Sequence, residues 1–468
     1  MSMDLVIALR GVVRNRRRSL ATLLTLLVGT AAILLFGAFV VYLVQSFETG
    51  TVQRTGHLAL YKKGFTLHGA ADPLGYGIAD YQAIIRLLRT DPQLGPMVAV
   101  VTPTQVAFGI AGNERAGKSK NFVGLGIVRE DQYRMERWNA YGIVLKHLDP
   151  PIRDTDIDKG DIGVGLARLL DICSGLKVKD CGPKPAQAAA PPAAPASNPF
   201  AALLAQDQQD REAAAAAGGP RRDRIELLAP TAKGAPNIVG MVVVSVSGMG
   251  SKDLDDSLVK MSLPLAQRLV YGRHPPAASS LVLQLKETSQ VGDALRRVRS
   301  LIAERQLDLE VRTFRDLVPL YGQVINFLGM IFGFISTIIG IVVLFSVVNT
   351  MSMSVMERTT EIGTMRALGA SRGEIGAQFV LEGTLIGAFG TVLGAALALL
   401  SAAIVNASNL KWSPPTSVED LPLRILLSDQ PAFVILTCAA LTVLCALAAL
   451  SPARKAARME IGDALRHV

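Results

Sequence analysis

Apolar residues gather into four long runs, about Leu20–Val44, Phe327–Val348, Ala377–Val405 and Ala432–Leu450. Each reaches the roughly 18 residues that a helix needs to cross the hydrocarbon of a bilayer. The stretch between the first two runs is patterned differently. His57–Gly64 (HLALYKKG) reads as a strand, and Tyr81–Arg89 (YQAIIRLLR) repeats its apolar residues at helical spacing. Val98–Val101 and Asn121–Val128 read as further strands. Near the far end, Leu281–Leu285 is a strand, Val291–Arg305 an amphipathic helix, and Leu309–Phe314 another strand. A strand–helix–strand unit at each end predicts one α+β subdomain formed by the two ends, with residues 130–275 inserted between them. The fold class is an α-helical membrane protein with four transmembrane helices in a 1+3 arrangement and a large α+β domain.

The second run is longer than a membrane requires. Leu317–Met356 holds 40 residues without Asp, Glu, Lys or Arg, about 60 Å as a helix, against a hydrocarbon core of about 30 Å. This predicts a helix that starts outside the bilayer as a stalk; a break near Gly322 or Gly329 is the alternative. Small residues recur at helix-packing spacing: Gly329 and Gly333 in the second run, and Gly383, Gly387, Gly390, Gly394 and Ala398 in the third. Such stripes let helix backbones approach, within the subunit or in a dimer. Glu382 is the one charge between Ile375 and Leu410. It reads either as a structural anchor paired with Arg366 or Arg372, or as a functional intramembrane carboxylate.

Composition agrees with this picture. Half the residues are hydrophobic, 19% are charged, and mean hydropathy is +0.35. Arg14, Arg16, Arg17 and Arg18 precede the first run; Arg454, Lys455 and Arg458 follow the fourth. That bias places both termini in the cytoplasm, the loop 349–372 with them, and residues 45–316 and 406–430 outside. The first run is too long for a signal-peptide core and reads as an uncleaved anchor. Much of the net charge of +9 flanks the spans, so it points to membrane lipids and not to nucleic acid. Cys173 and Cys181 lie in the outside region, where an oxidising compartment permits a disulfide. Cys438 and Cys445 fall in the fourth run as packing residues. Lys184–Arg222 is dominated by Ala, Pro, Gln and Gly and is expected to be a mobile loop.

One motif invites a wrong reading. Gly112–Ser119 (GNERAGKS) matches the phosphate-loop pattern, which needs a strand before it and a helix after it. Here NFVGLGIV follows, strand-like with two glycines, so a polar turn between two strands is the better reading. The five histidines are scattered, and neither H-E-x-x-H nor G-x-S-x-G occurs. No catalytic residue, metal site or cofactor site is expected in the chain.

The segment between the second and third runs carries the most information. In Asn349–Arg372, Glu357, Arg358, Glu361 and Arg366 interleave with Ile362, Met365 and Leu368 as a short amphipathic helix, followed by a Gly369-Ala370-Ser371 turn. An apolar stripe on such a loop is buried against lipid headgroups or against a partner. NTMSMSVMERTTEIGTMRALGASRGEI, the following FVLEGTLIGAFGTVLG, and the ending SPARKAARMEIGDALR (Ser451–Arg466) resemble the MacB/LolC/LolE/FtsX-type family of ABC transporter permeases. The ending departs from the family pattern at Ile461-Gly462, where a proline is usual. DIGVGLARLLDI and MSLPLAQRL (261–269) resemble elements of the MacB-like periplasmic domain.

The resemblance implies a cytoplasmic segment (1–18), a first span (19–45) and a periplasmic domain (46–316) holding the insertion (130–275) and a disordered loop (184–222). It then implies a stalk with the second span (317–348), a coupling helix (349–374), a third span (375–405), a periplasmic loop (406–430), a fourth span (431–451) and a cytoplasmic tail (452–468). Glu357, Arg358, Glu361, Ile362, Gly363, Met365, Arg366, Ala367 and Gly369 would contact a separate cytoplasmic ATPase dimer, which would hold the ATP and magnesium. A second permease copy or paralogue would complete the unit, with a periplasmic adaptor, lipoprotein or hydrolase as a further partner. Expected at the inner membrane, such a subunit converts ATP hydrolysis into movement of periplasmic domains, to export or extract a lipoprotein, lipid, peptide or small toxic compound. The alternative is an FtsX-like regulator that activates a cell-wall hydrolase and carries nothing.

Overall fold

The computed structural model describes residues 16–69, 72, 75–143, 154–173, 224–248, 252–408, 410–412 and 421–459. The chain divides into two compact units: Met1–Phe47 with Leu320–Trp412 and Pro422–Val468, and Glu48–Pro319 with Ser413–Leu421. A 40-residue helix, α1 (Arg16–Thr55), comes first. Then follow β1 (Leu58–Lys62), α2 (Tyr81–Thr90), β2 (Val98–Asn113), β3 (Lys118–Ile127), α3 (Arg129–Glu136), β4 (Lys159–Gly163), α4 (Val164–Leu169) and β5 (Arg224–Pro230). After these come β6 (Pro236–Ser247), β7 (Leu258–Ser262), α5 (Leu263–Tyr271), β8 (Ser280–Leu285), α6 (Val291–Glu304) and β9 (Leu309–Thr313).

The 16-residue strand β2 serves two substructures. Its first half, Val98–Thr104, pairs with β8, which pairs with β1, which pairs with β9, all antiparallel. With α2 and α6 as the crossovers, the order β2-β8-β1-β9 is the split β-α-β arrangement of ferredoxin-like folds. Alternate residues turn inward, and Leu58, Leu60, Val101, Leu281 and Leu283 form one core with Ile84 and Leu88 of α2 and Val298 and Leu301 of α6. The second half of β2 pairs with β3 on one side and β5 on the other. The ladder continues from β3 to β7, β4, β6 and back to β5, a closed ring of six strands that leaves no free edge to aggregate. Ala107, Phe122, Ile162, Ile225, Met241, Val259 and Met261 share its core with Leu265 and Leu269 of α5.

This moves the start of the insertion. The inserted substructure begins near Thr104, not at residue 130, because Thr104 is where β2 passes from Ser280 of β8 to Ile127 of β3. The change of partner occurs within one unbroken strand, so no turn residue marks it. The β2–β3 hairpin also accounts for GNERAGKS. Gly112 faces Ser119 and Asn113 faces Lys118 across the ladder, joined by a 3-10 turn over Glu114–Ala116. Gly117, at φ 61°, takes the left-handed conformation that closes the turn. Cys173 is disulfide-bonded. Cys181 and the Lys184–Arg222 stretch lie outside the described residues.

His57 is fully buried where α1 gives way to β1. Its Nδ1 accepts the Leu285 N–H at 2.9 Å, so Nε2 carries the hydrogen, 3.1 Å from the Thr288 hydroxyl. Trp138 and Phe314 pack edge-on against the ring. Burial pushes the imidazole pKa from 6.5 down to about 4, against an opposing pull from Glu48. Below pH 6.5 the unfolded chain protonates this histidine while the folded one does not. Stability of the unit is therefore expected to fall by about 3 kcal/mol as pH drops from above 6.5 to about 4, at 1.36 kcal/mol per pKa unit. Unfolding midpoints across that window check this, and His57→Gln should flatten the slope.

The other unit holds α7 (Pro319–Glu357, from Leu320), α8 (Thr359–Ala367), α9 (Arg372–Ala407) and α10 (Pro431–Ala457), together with α1 as far as Phe47. Four helices, Leu20–Thr55, Pro319–Glu357, Arg372–Ala407 and Pro431–Ala457, are long and apolar enough to cross a membrane. α7 runs unbroken through Gly322 and Gly329 for 39 residues. The glycines of α9 lie where neighbouring helices press closest. A Cβ at Gly383 would fall 2.6 Å from the Ala449 Cβ, and one at Gly387 2.7 Å from the Cys445 Cβ, both on α10. On the α1 side, Gly390 meets Leu26 and Gly394 meets Thr30, each at 2.6 Å. Gly329 and Gly333 differ. Both are exposed, and nothing lies within 4 Å of a Cβ built there. Among the described residues they pack against no helix, which leaves these two of the six glycines with only the dimer reading.

Candidate coupling surface

The short helix α8 follows α7 after a single non-helical residue, Arg358, at φ −109° and ψ 21°. The Arg358 N–H donates back to the Val355 carbonyl, and the Arg358 carbonyl accepts the Ile362 N–H at 2.9 Å, the first bond of α8. At the other end the chain stops in a Schellman turn. The Ala370 N–H bonds the Met365 carbonyl at 3.0 Å, and the Gly369 N–H bonds the Arg366 carbonyl at 3.1 Å. Gly369 sits at φ 98°, which a side chain would resist. Two residues later a capping box starts α9. The Glu374 N–H donates to the Ser371 hydroxyl at 3.2 Å, and the Ser371 N–H donates to the Glu374 carboxylate at 2.9 Å. The S-x-x-E signature of that box stands in the sequence as SRGE and marks the true start of α9 at Arg372.

One face of α8 is taken by the chain itself. Ile362 is buried with Val355, Ile375, Phe379, Ala453 and Ala456, and Met365 and Ala370 pack against the same cluster. Gly363 is buried beside Ile362. Ile362, Gly363 and Met365 were expected at a partner contact and instead seat α8 on the ends of α7, α9 and α10. Arg366 is engaged too. Its Nη1 donates to the Ala457 carbonyl at 2.9 Å, where a cation also suits the negative end of the α10 dipole. Arg358 pairs with Glu382, Nη1 to Oε1 at 2.8 Å. Sequence spacing suggested Arg366 or Arg372 as the partner of Glu382. Arg366 is committed to Ala457, and Arg372 lies ten positions back on the same helix, about 15 Å along its axis.

Of the expected contact residues, Glu357, Glu361, Ala367 and Gly369 face outward, with Leu368 beside them. Leu368 is 84% exposed, an apolar side chain held at the tip of the Schellman turn. The surface is compact, mixed in chemistry and rigidly backed. Within the described residues no group of three or more His, Cys, Asp or Glu is placed to hold a metal ion.

A bundle of apolar helices, with an α+β domain between the first and second, defines a polytopic membrane protein. Residues 333–461 match the family of the FtsX-like permease C-terminal domain, and the chain is similar to export permeases of the MacB and PvdT kind. It is 28% identical over 228 residues to the macrolide export ATP-binding/permease protein MacB of Brucella abortus, covering 47% of this chain and 32% of that protein. It is 30% identical over 232 residues to the pyoverdine export ATP-binding/permease protein PvdT of Pseudomonas putida, covering 49% and 33%. The match thus spans about a third of the length of these relatives. The periplasmic region of MacB from Actinobacillus actinomycetemcomitans aligns over 57% of this chain and 94% of its own, with 9% identity and a TM-score of 0.29.

Proposed function

We propose that the chain is the permease subunit of an ABC exporter in a bacterial inner membrane, with both termini cytoplasmic and the α+β domain in the periplasm. In this reading α8 is the coupling helix. A separate ATPase dimer holding ATP and magnesium grips Glu357, Glu361, Ala367, Leu368 and Gly369, while Ile362, Met365 and Arg366 pass the push to the spans. The observation that carries the reading is the two-faced build of α8. One face is anchored to three helix ends, and the other presents an 84% exposed leucine. At 40 and 39 residues, α1 and α7 have several turns beyond the ~20 residues that a bilayer takes, as levers to an external domain require. The relatives named for macrolide and pyoverdine export favour export of a small compound. A second copy of the chain completes the transporter, and Gly329 and Gly333 are the open small residues on which it would pack.

Glu361→Lys and Leu368→Asp each change an exposed position of α8 or its C-cap. Each is expected to lower the ATPase recovered with the purified chain by roughly tenfold, with the melting temperature unchanged. Unaltered recovery in both variants would reject α8 as the docking element.

A further inference from the structure

Arg358 and Glu382 form a charge pair that the coupling reading does not require. The side chains are 13% and 3% exposed. A buried ion pair pays for desolvation and adds little net stability over a well-packed apolar pair, and its best-attested use is to fix register. The register in question is visible. Arg358 is the one non-helical residue between α7 and α8, so its backbone dihedrals set the direction in which α8 leaves α7. Glu382 sits beside Gly383, whose missing side chain lets α9 lie against Ala449 of α10, with the Met351 methyl of α7 3.4 Å from a Cβ built there. The apolar cluster under Ile362 and the Arg366–Ala457 hydrogen bond hold the body of α8, but dispersion contacts at the residue 358 end have little direction. A charge-assisted hydrogen bond at 2.8 Å is directional, because its strength depends on distance and angle.

We propose that Arg358 and Glu382 are positioning residues that lock the α7–α8 hinge to α9, so that force on α8 moves the third span and is not lost in rotation at residue 358. The proposal rests on the coupling reading. Neither residue touches the ATPase; both act through α8.

The test uses the full chain purified with its bound ATPase. Glu382→Gln and Arg358→Gln are expected to retain bound ATPase within about twofold and to lower ATP hydrolysis per bound ATPase at least about tenfold. The reversed pair, Arg358→Glu with Glu382→Arg, is expected to restore most of that rate, which a general loss of folding would not allow. Glu361→Lys runs beside them. If it strips the ATPase while the two glutamine variants hydrolyse normally, the hinge proposal fails alone. If both it and Leu368→Asp leave the ATPase bound, the coupling reading fails and takes the proposal with it. Glutamine variants that lose hydrolysis only in step with folded protein, with no rescue by the reversed pair, also overturn it.

Discussion

Gly394→Leu is expected to leave little folded protein. A Cβ at this position would fall 2.6 Å from the Thr30 Cβ, 2.7 Å from the Leu27 carbonyl oxygen and 3.2 Å from the Leu27 Cα. Two of those three atoms are backbone of α1, so no side-chain rotation relieves the clash; α1 and α9 must separate. Separation undoes the cluster in which Ala31, Ala38, Ala395, Ala398 and Ala402, small side chains that fill only a narrow gap, surround Leu34. Overpacking costs about 1–3 kcal/mol where neighbours can adjust, and here the neighbour is a helix backbone, so about 3 kcal/mol or more is expected. Gly329→Leu and Gly333→Leu are the controls, because open space surrounds both. They should not lower the melting temperature of the monomeric chain in detergent. Heating followed by size-exclusion chromatography reads all three, and equal losses at 394 and 329 would show that the close approach of α1 and α9 is misplaced.

The contrast shows what the sequence can convey. Length and hydropathy were enough for the four spans and for the overlong α7, because these depend on residues adjacent in the chain. The strands and helices at both ends of the α+β domain were legible for the same reason, and the split β-α-β order follows once they pair. Ring closure was not legible. It depends on β3 meeting β7, β7 meeting β4, and β4 meeting β6, pairings between segments far apart in sequence that no local pattern encodes. Spacing gave glycines at 329, 333, 383, 387, 390 and 394 the same weight. Only the neighbours show that the last four are gripped and the first two are bare.

The segment 349–372 was legible in outline and misread in detail. Interleaved charges and apolar residues identified a helix that needs something on its apolar side. They did not say whether that something was a partner or the chain itself. Ile362 and Met365 answer it, since the ends of α7, α9 and α10 already cover them. Pairing Glu382 by sequence distance failed because Arg358 lies at a hinge, and the direction of a hinge residue's side chain depends on how two helices fold over each other.

Asp161→Ala is expected to destabilise the α+β domain by about 3–5 kcal/mol, the cost of leaving one partner of a buried ion pair uncompensated. Asp161 on β4 accepts hydrogen bonds from Arg129 Nη1 and from the Ser245 hydroxyl on β6. Arg129 Nη2 donates to the Lys260 carbonyl on β7 at 3.1 Å. The backbone N–H groups of Arg129 and Glu130, at the start of α3, go to the Asp154 carboxylate. One guanidinium thus ties α3 to adjacent strands of the ring, with side chains only 7% and 12% exposed. Removing the carboxylate strands that cation without an acceptor at Nη1, while Arg129 Nε already has no partner. Against a typical domain stability of about 5–15 kcal/mol, such a loss unfolds a large share of molecules under mild denaturant. The double variant Arg129→Met with Asp161→Val separates charge from packing, because it removes both ions and stays near the original volume. Denaturant midpoints for the single and double variants decide the matter. Recovery in the double variant means the cost in Asp161→Ala is the orphaned charge, whereas an equal loss in both would assign the stability to the hydrogen bonds that join α3 to the ring.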